Sequence, residues 1–291
     1  MTKRHAIFTA SEGNKASFLL HHWLASLQAN VDLAEIDVNV LDYGLTDAQR
    51  AELQARGVCC HACVKDGQVG DIRIRDLAAI AESRNYDQVL SVDSGDLIFQ
   101  ADISRLFGQD KNHFRAVCEE LRVPIHHVFM DRADFPPEVG RRLLDFLYDK
   151  PVINGGFVLG PVSKFRSVWR TFEQLGIGYR CYCTDQLVLN YVLHRDGFRA
   201  LESRYNFVLV SMLSPFFICR GVFYDSAGEV IPVVHNAGMK EFTRKIRNFG
   251  YGPEYNRRRW MAPIVTRCLI DAGNCWKRLA HAPKSCWPSE K

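Results

Sequence analysis

No run of the chain is apolar for long enough to cross a membrane. The most apolar window, residues 207–219, is broken by Pro215 and closed by Arg220, whereas a spanning helix needs about 20 apolar residues. A secretory signal is not expected either. The first apolar stretch, residues 6–10, is soon followed by Glu12 and falls short of a signal-peptide core, so a cytoplasmic protein is expected. Internal repeats and low-complexity tracts are absent, which leaves an ordinary globular domain. Knuckle spacing for zinc is also lacking. Ten cysteines are present, but Cys59-Cys60-His61-Ala62-Cys63 is the one dense cluster. No second ligand pair follows it, as a tetrahedral site would require. Cys181 and Cys183 alternate as in a strand. Without an export signal the thiols are expected to be reduced and partly buried.

What remains is ample material for a core. With 291 residues and 47% hydrophobic side chains, the chain can fold without covalent staples. Charge is uneven: residues 240–291 hold twelve Lys or Arg against four Asp or Glu, a net of +8, while the whole chain is +4. A basic tail on a mildly acidic body predicts an anionic partner for the tail.

Over the first hundred residues the hydrophobic period alternates between strand and helix. Residues 6–10 read as a buried strand, and 15–29 as a helix with Phe18, Leu19, Trp23 and Leu27 on one face. A second strand covers 33–41. Thr46 is placed to cap a helix over 47–56 that stops at Gly57. A strand near 58–63, a helix over 74–84 and a strand over 87–92 follow. This order predicts a parallel, helix-covered sheet. Further on, residues 114–118 are apolar, and 136–148, 163–175 and 185–193 read as helices. Residues 152–159 read as a strand interrupted by Gly155 and Gly156, and 230–234 as a strand ending at His235.

Open α/β sheets bind ligands beyond the carboxyl ends of their strands. There the chain sets Thr9, Ala10, Ser11, Glu12, Gly13 and Asn14 after the first strand, and Asp93 and Asp96 after the fourth. Asn154 with Gly155 and Gly156 comes from a later strand, and His235, Gly238 and Lys240 from the last. Asp93-Ser94-Gly95-Asp96 offers two carboxylates in a short turn, a hard oxygen site for Mg²⁺ or Mn²⁺ with positions left for phosphate oxygens. The same four residues also make an ordinary β-turn. An imidazole from His235 would favour Mn²⁺, although a lone His after a strand is commonly structural.

In order and content these segments resemble the GT-A-fold retaining glycosyltransferases of glycosyltransferase family 8, the glycogenin and lipopolysaccharide galactosyltransferase group. The resemblance is carried by residues 40–46 (VLDYGLT), 87–103 (DQVLSVDSGDLIFQADI), 153–159 (INGGFVL), 184–190 (TDQLVLN), 204–207 (RYNF) and 233–240 (VVHNAGMK). It implies a Rossmann-like GT-A domain with a mixed sheet over residues 1–240 and a basic, aromatic-containing extension over 241–291. It also implies retaining transfer of a hexose from a UDP-sugar to a glycan, lipid-linked or protein acceptor. Asp93, Asp96 and His235 would hold the metal. Asn154 and Asp185 would hold donor hydroxyls, and Gln186 would lie on the β-face of the anomeric carbon. Gly238 and Lys240 would contact the diphosphate. Thr9, Ala10, Ser11 and Gly155 would line the donor, and Arg75 would be the arginine near the nucleotide.

Plainer readings stand beside these. Asn154 suits a turn before two glycines, Asp185 a helix dipole, Gln186 a first helical turn, Arg75 a surface charge beside Asp76, and Lys240 the start of the basic tail. The family pattern is also altered. Gly95 stands where the second carboxylate of Asp-x-Asp belongs, and Asp96 comes one position late. The motif from His235 is one residue short before Lys240 and continues as Glu241-Phe242 rather than Pro-Trp. Ser11-Glu12 replaces the acidic residue that would read uracil.

The tail interleaves cations with aromatics: Arg244, Lys245, Arg247, Arg257-Arg258-Arg259-Trp260 and Trp276-Lys277-Arg278. That composition suits the surface of an anionic membrane, at the inner face, and a lipid-linked acceptor. It equally suits a solvated basic face. No recognised module points to nucleic acid. Two other enzyme classes use acidic turns. A haloacid-dehalogenase-type phosphatase needs an Asp after the first strand, and a nucleotidyltransferase needs a Gly-rich basic loop there. No Asp stands there, and Ser11-Glu12-Gly13-Asn14 is a poor loop of the second kind, which leaves a nucleotidyltransferase using the same acidic turn as one alternative. A non-catalytic nucleotide-sugar-binding remnant of the same fold is the other alternative.

Overall fold

The computed structural model describes residues 3–120, 135–238 and 244–258, together with Ala272. A seven-stranded sheet is built from β1 (His5–Ser11), β2 (Ile36–Asp42), β3 (Cys59–Ala62), β4 (Gln88–Val92), β6 (Phe114–Cys118), β7 (Ile153–Pro161) and β8 (Phe198–Ala200). Their order is β3-β2-β1-β4-β7-β6-β8. The first four run parallel. β7 is antiparallel to both β4 and β6, which makes the sheet mixed.

Successive side chains of a strand point to opposite faces. Ile7, Leu90, Val92 and Phe157 thus join one apolar cluster with Trp23 and Leu27, while Ala6, Phe8, Val89 and Val158 join another with Leu77, Phe172 and Val188. Both faces are covered by helices, which is why these strands read as continuous apolar runs. Thr46 caps the helix Asp47–Ala55 through a reciprocal pair: its hydroxyl accepts the Gln49 N–H at 3.3 Å, and Gln49 Oε1 accepts the Thr46 N–H at 2.9 Å.

Several local expectations need correction. The helix expected from residue 74 begins at Val69 and runs to Ser83. Its polar, glycine-containing first turn resembles a loop in sequence, but Gln68 N–H donates to Tyr179 O at 2.8 Å and fixes the start. The segment expected as one regular helix over 15–29 contains a π turn, Leu19–Trp23, that buries Leu19, Leu20 and Trp23. β7 passes unbroken through Gly155 and Gly156. Cys181 and Cys183 lie in a loop, not a strand; Cys183 is left-handed, φ 71°, directly before the helix Thr184–Asp196. The Cys59–Cys63 cluster lies on and just after the edge strand β3, where the His61 ring meets Asn39 Oδ1 at 2.9 Å.

Candidate metal and donor site

Because β7 is antiparallel, its N-terminal end lies beside the C-terminal end of β4. Asp93 N–H donates to Gly156 O at 3.0 Å, so Asn154, Gly155 and Gly156 reach the ligand-binding edge from the start of their strand. The chain then bends through Ser94 and Gly95 into β5 (Leu97–Phe99). β5 pairs antiparallel with β10 (Val233–His235), and β10 pairs in parallel with β9 (Phe207–Val208). Register sets His235 opposite Leu97, and Asn236 N–H donates to Asp96 O at 2.8 Å. The bend absorbs the extra residue of the acidic turn. His235 Nε2 lies 3.3 Å from Asp96 Oδ1 and 3.8 Å from Asp93 Oδ2. Among the described residues, these three alone form a cluster able to hold a metal, with ligand atoms all within 4.8 Å of one another.

Hydrogen bonds behind His235 fix which ring nitrogen faces the carboxylates. Asn154 donates its amide N–H to Glu119 Oε1 at 2.8 Å. That turns Asn154 Oδ1 towards Asn206 Nδ2, 2.9 Å away, and towards Gly156 N–H, also 2.9 Å. Asn206 then offers its own oxygen to His235 Nδ1 at 3.1 Å. Nδ1 is the protonated nitrogen, and Nε2 is directed at Asp93 and Asp96. The glycine of β7 makes room for this. A Cβ on Gly156 would come within 2.9 Å of both Asp93 Oδ2 and His235 Nδ1, and closer still to Cε1. Burial opposes a charge on His235, but Asp96 and Asp93 outweigh it and raise its pKa above the ordinary histidine value.

Arg73 joins the metal cluster to the helix Thr184–Asp196. Its guanidinium pairs with Asp93, reaches Asp185 Oδ2 at 3.4 Å and Gly155 O at 3.5 Å, and its side chain is 13% exposed. Burial works against ionised Asp93, yet Arg73 and His235 hold its pKa below the usual carboxylate range. For Asp185 burial prevails over Arg73, and its pKa is raised. Gln186 is clamped on the start of β7: its Oε1 accepts Gly155 N–H at 2.9 Å, and its Nε2 donates to Ile153 O. Asp93, Asp96, Asn154, Gly155, Asp185, Gln186 and His235 are therefore brought together.

Other expected residues fall differently. Arg75 is bonded to Asp76 and Asp66 at 2.7 and 2.8 Å and lies over the Trp169 ring. Thr9 and Ser11 are buried, Ala10 is half-buried, and Ser94 Oγ ties the acidic turn to Ala10 O at 2.9 Å. Gly238 O meets Arg244 Nε at 3.5 Å, and Arg244 Nη2 reaches Asp96 Oδ2 at 3.2 Å. Lys240 and the tail beyond residue 258, Ala272 apart, lie outside the described residues. Arg73, Asn206, Glu119 and Arg244 were not legible as site residues. A signal for Arg73 exists: with the helix starting at Val69, it shares a face with Leu77 and Ala81, both buried.

Neither a protein-family model nor a curated protein matches the chain by sequence. Solved structures do match. One is an active-site mutant of LgtC, with glutamine changed to glutamate, at 18% identity and TM-score 0.55, covering 92% of this chain and 95% of that one. Another is the bifunctional glycosyltransferase WbbM in its apo form, at 14% identity and TM-score 0.53, covering 84% of this chain and 47% of that one. A mixed sheet, an acidic turn after β4 and likeness to these structures over most of the chain give it the GT-A glycosyltransferase fold.

Proposed function

We propose that the chain is a metal-dependent, retaining glycosyltransferase that moves a hexose from a UDP-sugar to a glycan, lipid-linked or protein acceptor. The observation that carries this is the convergence of Asp93, Asp96 and His235 at one end of the sheet, with Nε2 of His235 directed at both carboxylates. Two carboxylates and an imidazole suit Mn²⁺, or with less imidazole preference Mg²⁺. When bound, such an ion supplies positive charge to a departing diphosphate.

The chain's own residues supply the rest. Arg73 keeps Asp93 ionised and ready to bind. Asn154 and Asp185 are proposed to hold donor hydroxyls, and the half-buried Ala10 with Gly155 and Gly238 to line the donor. Gln186, clamped to Ile153 O and Gly155 N–H, presents a fixed amide to the sugar. The LgtC structure carries its change at an active-site glutamine, which supports a role for Gln186. Lys240 is proposed to place its ammonium on the diphosphate. No described helix is long and apolar enough to cross a membrane; the cations from Arg244 onward are proposed to touch an anionic membrane surface that carries the acceptor.

Titrating UDP with and without Mn²⁺ tests this reading. Tighter UDP binding with metal, and slow hydrolysis of the correct donor that Asp93→Ala abolishes without unfolding the protein, is the expected result. A protein with neither property would be a binding remnant or an enzyme of another class.

A further inference from the structure

The helix Thr184–Asp196 begins without a cap of its own. Cys183 precedes it in the left-handed conformation and makes no side-chain hydrogen bond to its first turn. The first N–H groups of a helix need acceptors from outside it. The one on Asp185 finds its acceptor on another helix: Asp71 Oδ1, 2.6 Å away. Asp71 lies in the first turn of Val69–Ser83, is fully buried, and has no part in the chemistry proposed above. The two helix starts are pressed together. A Cβ on Gly70 would meet Asp185 Oδ2 at 3.2 Å, and Gln68 N–H is fastened to Tyr179 O. Asp71 Oδ2 is buried with no hydrogen-bond partner among the described residues, so the carboxyl's one hydrogen bond there is to this turn. Burial and the neighbouring Asp185 carboxyl raise its pKa.

We infer that Asp71 is a positioning residue: it caps, from a neighbouring helix, the turn that carries Asp185 and Gln186, and so fixes where those side chains stand against the donor sugar. The inference rests on the donor-sugar role proposed for Asp185. N-capping oxygens ordinarily belong to the residue just before the helix and accept from its second or third N–H; here a distant residue supplies the oxygen. A displacement on the order of 1 Å at a reacting group can cost about a hundredfold in rate.

Asp71→Ala removes the acceptor, whereas Asp71→Asn keeps an amide oxygen in its place. Hydrogen exchange of the peptide spanning residues 184–190 is read beside steady-state donor hydrolysis and UDP binding with Mn²⁺. Asp71→Ala is expected to speed exchange at that peptide and lower kcat about ten- to hundredfold, with UDP affinity within about threefold of wild type. Asp71→Asn should restore both. Wild-type exchange in Asp71→Ala, equal loss in both variants, or a loss of UDP affinity matching the loss of turnover would overturn the inference. Should Asp71→Ala not fold, Asp71→Ser, whose shorter hydroxyl does not reach the Asp185 N–H, takes its place, and unchanged exchange there would overturn it as well. An inactive wild-type protein would instead remove the donor role of Asp185, an outcome separate from the exchange measurement.

Discussion

Replacing Gly156 by alanine adds one methyl group at the point where β7 passes behind the metal ligands. The new Cβ would sit 2.9 Å from Asp93 Oδ2 and His235 Nδ1, and nearer still to Cε1. Ordinary contacts need about 3.5–4.0 Å, so the imidazole or the strand must move by roughly 1 Å. His235 is held from behind by Asn206, which leaves it no free direction. Metal sites tolerate about ±0.2 Å in ligand distance. Gly156 is not among the positive-φ residues, so alanine meets no backbone penalty and the effect isolates the contact. We expect Mn²⁺ affinity to fall about ten- to hundredfold, the loss typical when a ligand's support is disturbed, and overpacking to cost about 1–3 kcal/mol of stability. Mn²⁺ binding followed by electron paramagnetic resonance gives the affinity, and urea unfolding gives the stability. Gly108→Ala, where a Cβ would meet nothing within 4 Å, is the control. Binding by Gly156→Ala within twofold of wild type would refute the close-packed ligand geometry.

Asn206→Ala should lower Mn²⁺ affinity about tenfold without changing the ligands themselves, because His235 loses the partner that sets its tautomer; an unchanged titration would show that the Asn206 bond does not orient the ring. Arg73→Ala leaves Asp93 and Asp185 without their shared cation. Losing one partner of a buried pair costs about 3–5 kcal/mol, and the partial exposure of Asp93 puts the expected loss at about 3 kcal/mol or less, read by urea unfolding. Arg73→Lys should recover little of it, since a point charge cannot span both carboxylates. Metal binding must also displace the His235 proton. Because Asp96 and Asp93 raise that pKa despite burial, Mn²⁺ affinity should fall about tenfold per pH unit below the raised value, starting above pH 6.5. His235→Ala should flatten that dependence.

How much of this was legible follows from the length of each signal. β1 and β4 carry short buried apolar stretches and β2 alternates Ile36, Val38 and Val40 with Asp37 and Asn39, so the strands and their parallel order were readable. Thr46 and Gln49 carry a capping box within four residues of sequence. Asp93 and His235 stand at strand ends, where polar residues after apolar ones are conspicuous. Arg73 was hidden for the opposite reason. Its helix opens on Val69-Gly70-Asp71, which has no apolar period, and Arg75 two positions on is an equal candidate by composition. Only the neighbouring chain near Tyr179 decides where that helix begins. Asn206 and Glu119 are ordinary polar residues in sequence, and their importance comes from a hydrogen-bonded chain joining residues 119, 154, 206 and 235. The glycines of β7 read as an interruption because the bulk they make room for, the His235 ring, the Asp93 carboxylate and the Gln186 amide, comes from remote segments.

The account turns on whether Asp93, Asp96 and His235 close around a single divalent ion. Crystals of the protein grown with UDP and Mn²⁺, measured at a wavelength where manganese scatters anomalously, would locate it. One anomalous peak in contact with all three side chains and with diphosphate oxygens is the predicted result. UDP bound at this edge of the sheet with no peak there, or a peak held by other residues, would contradict it.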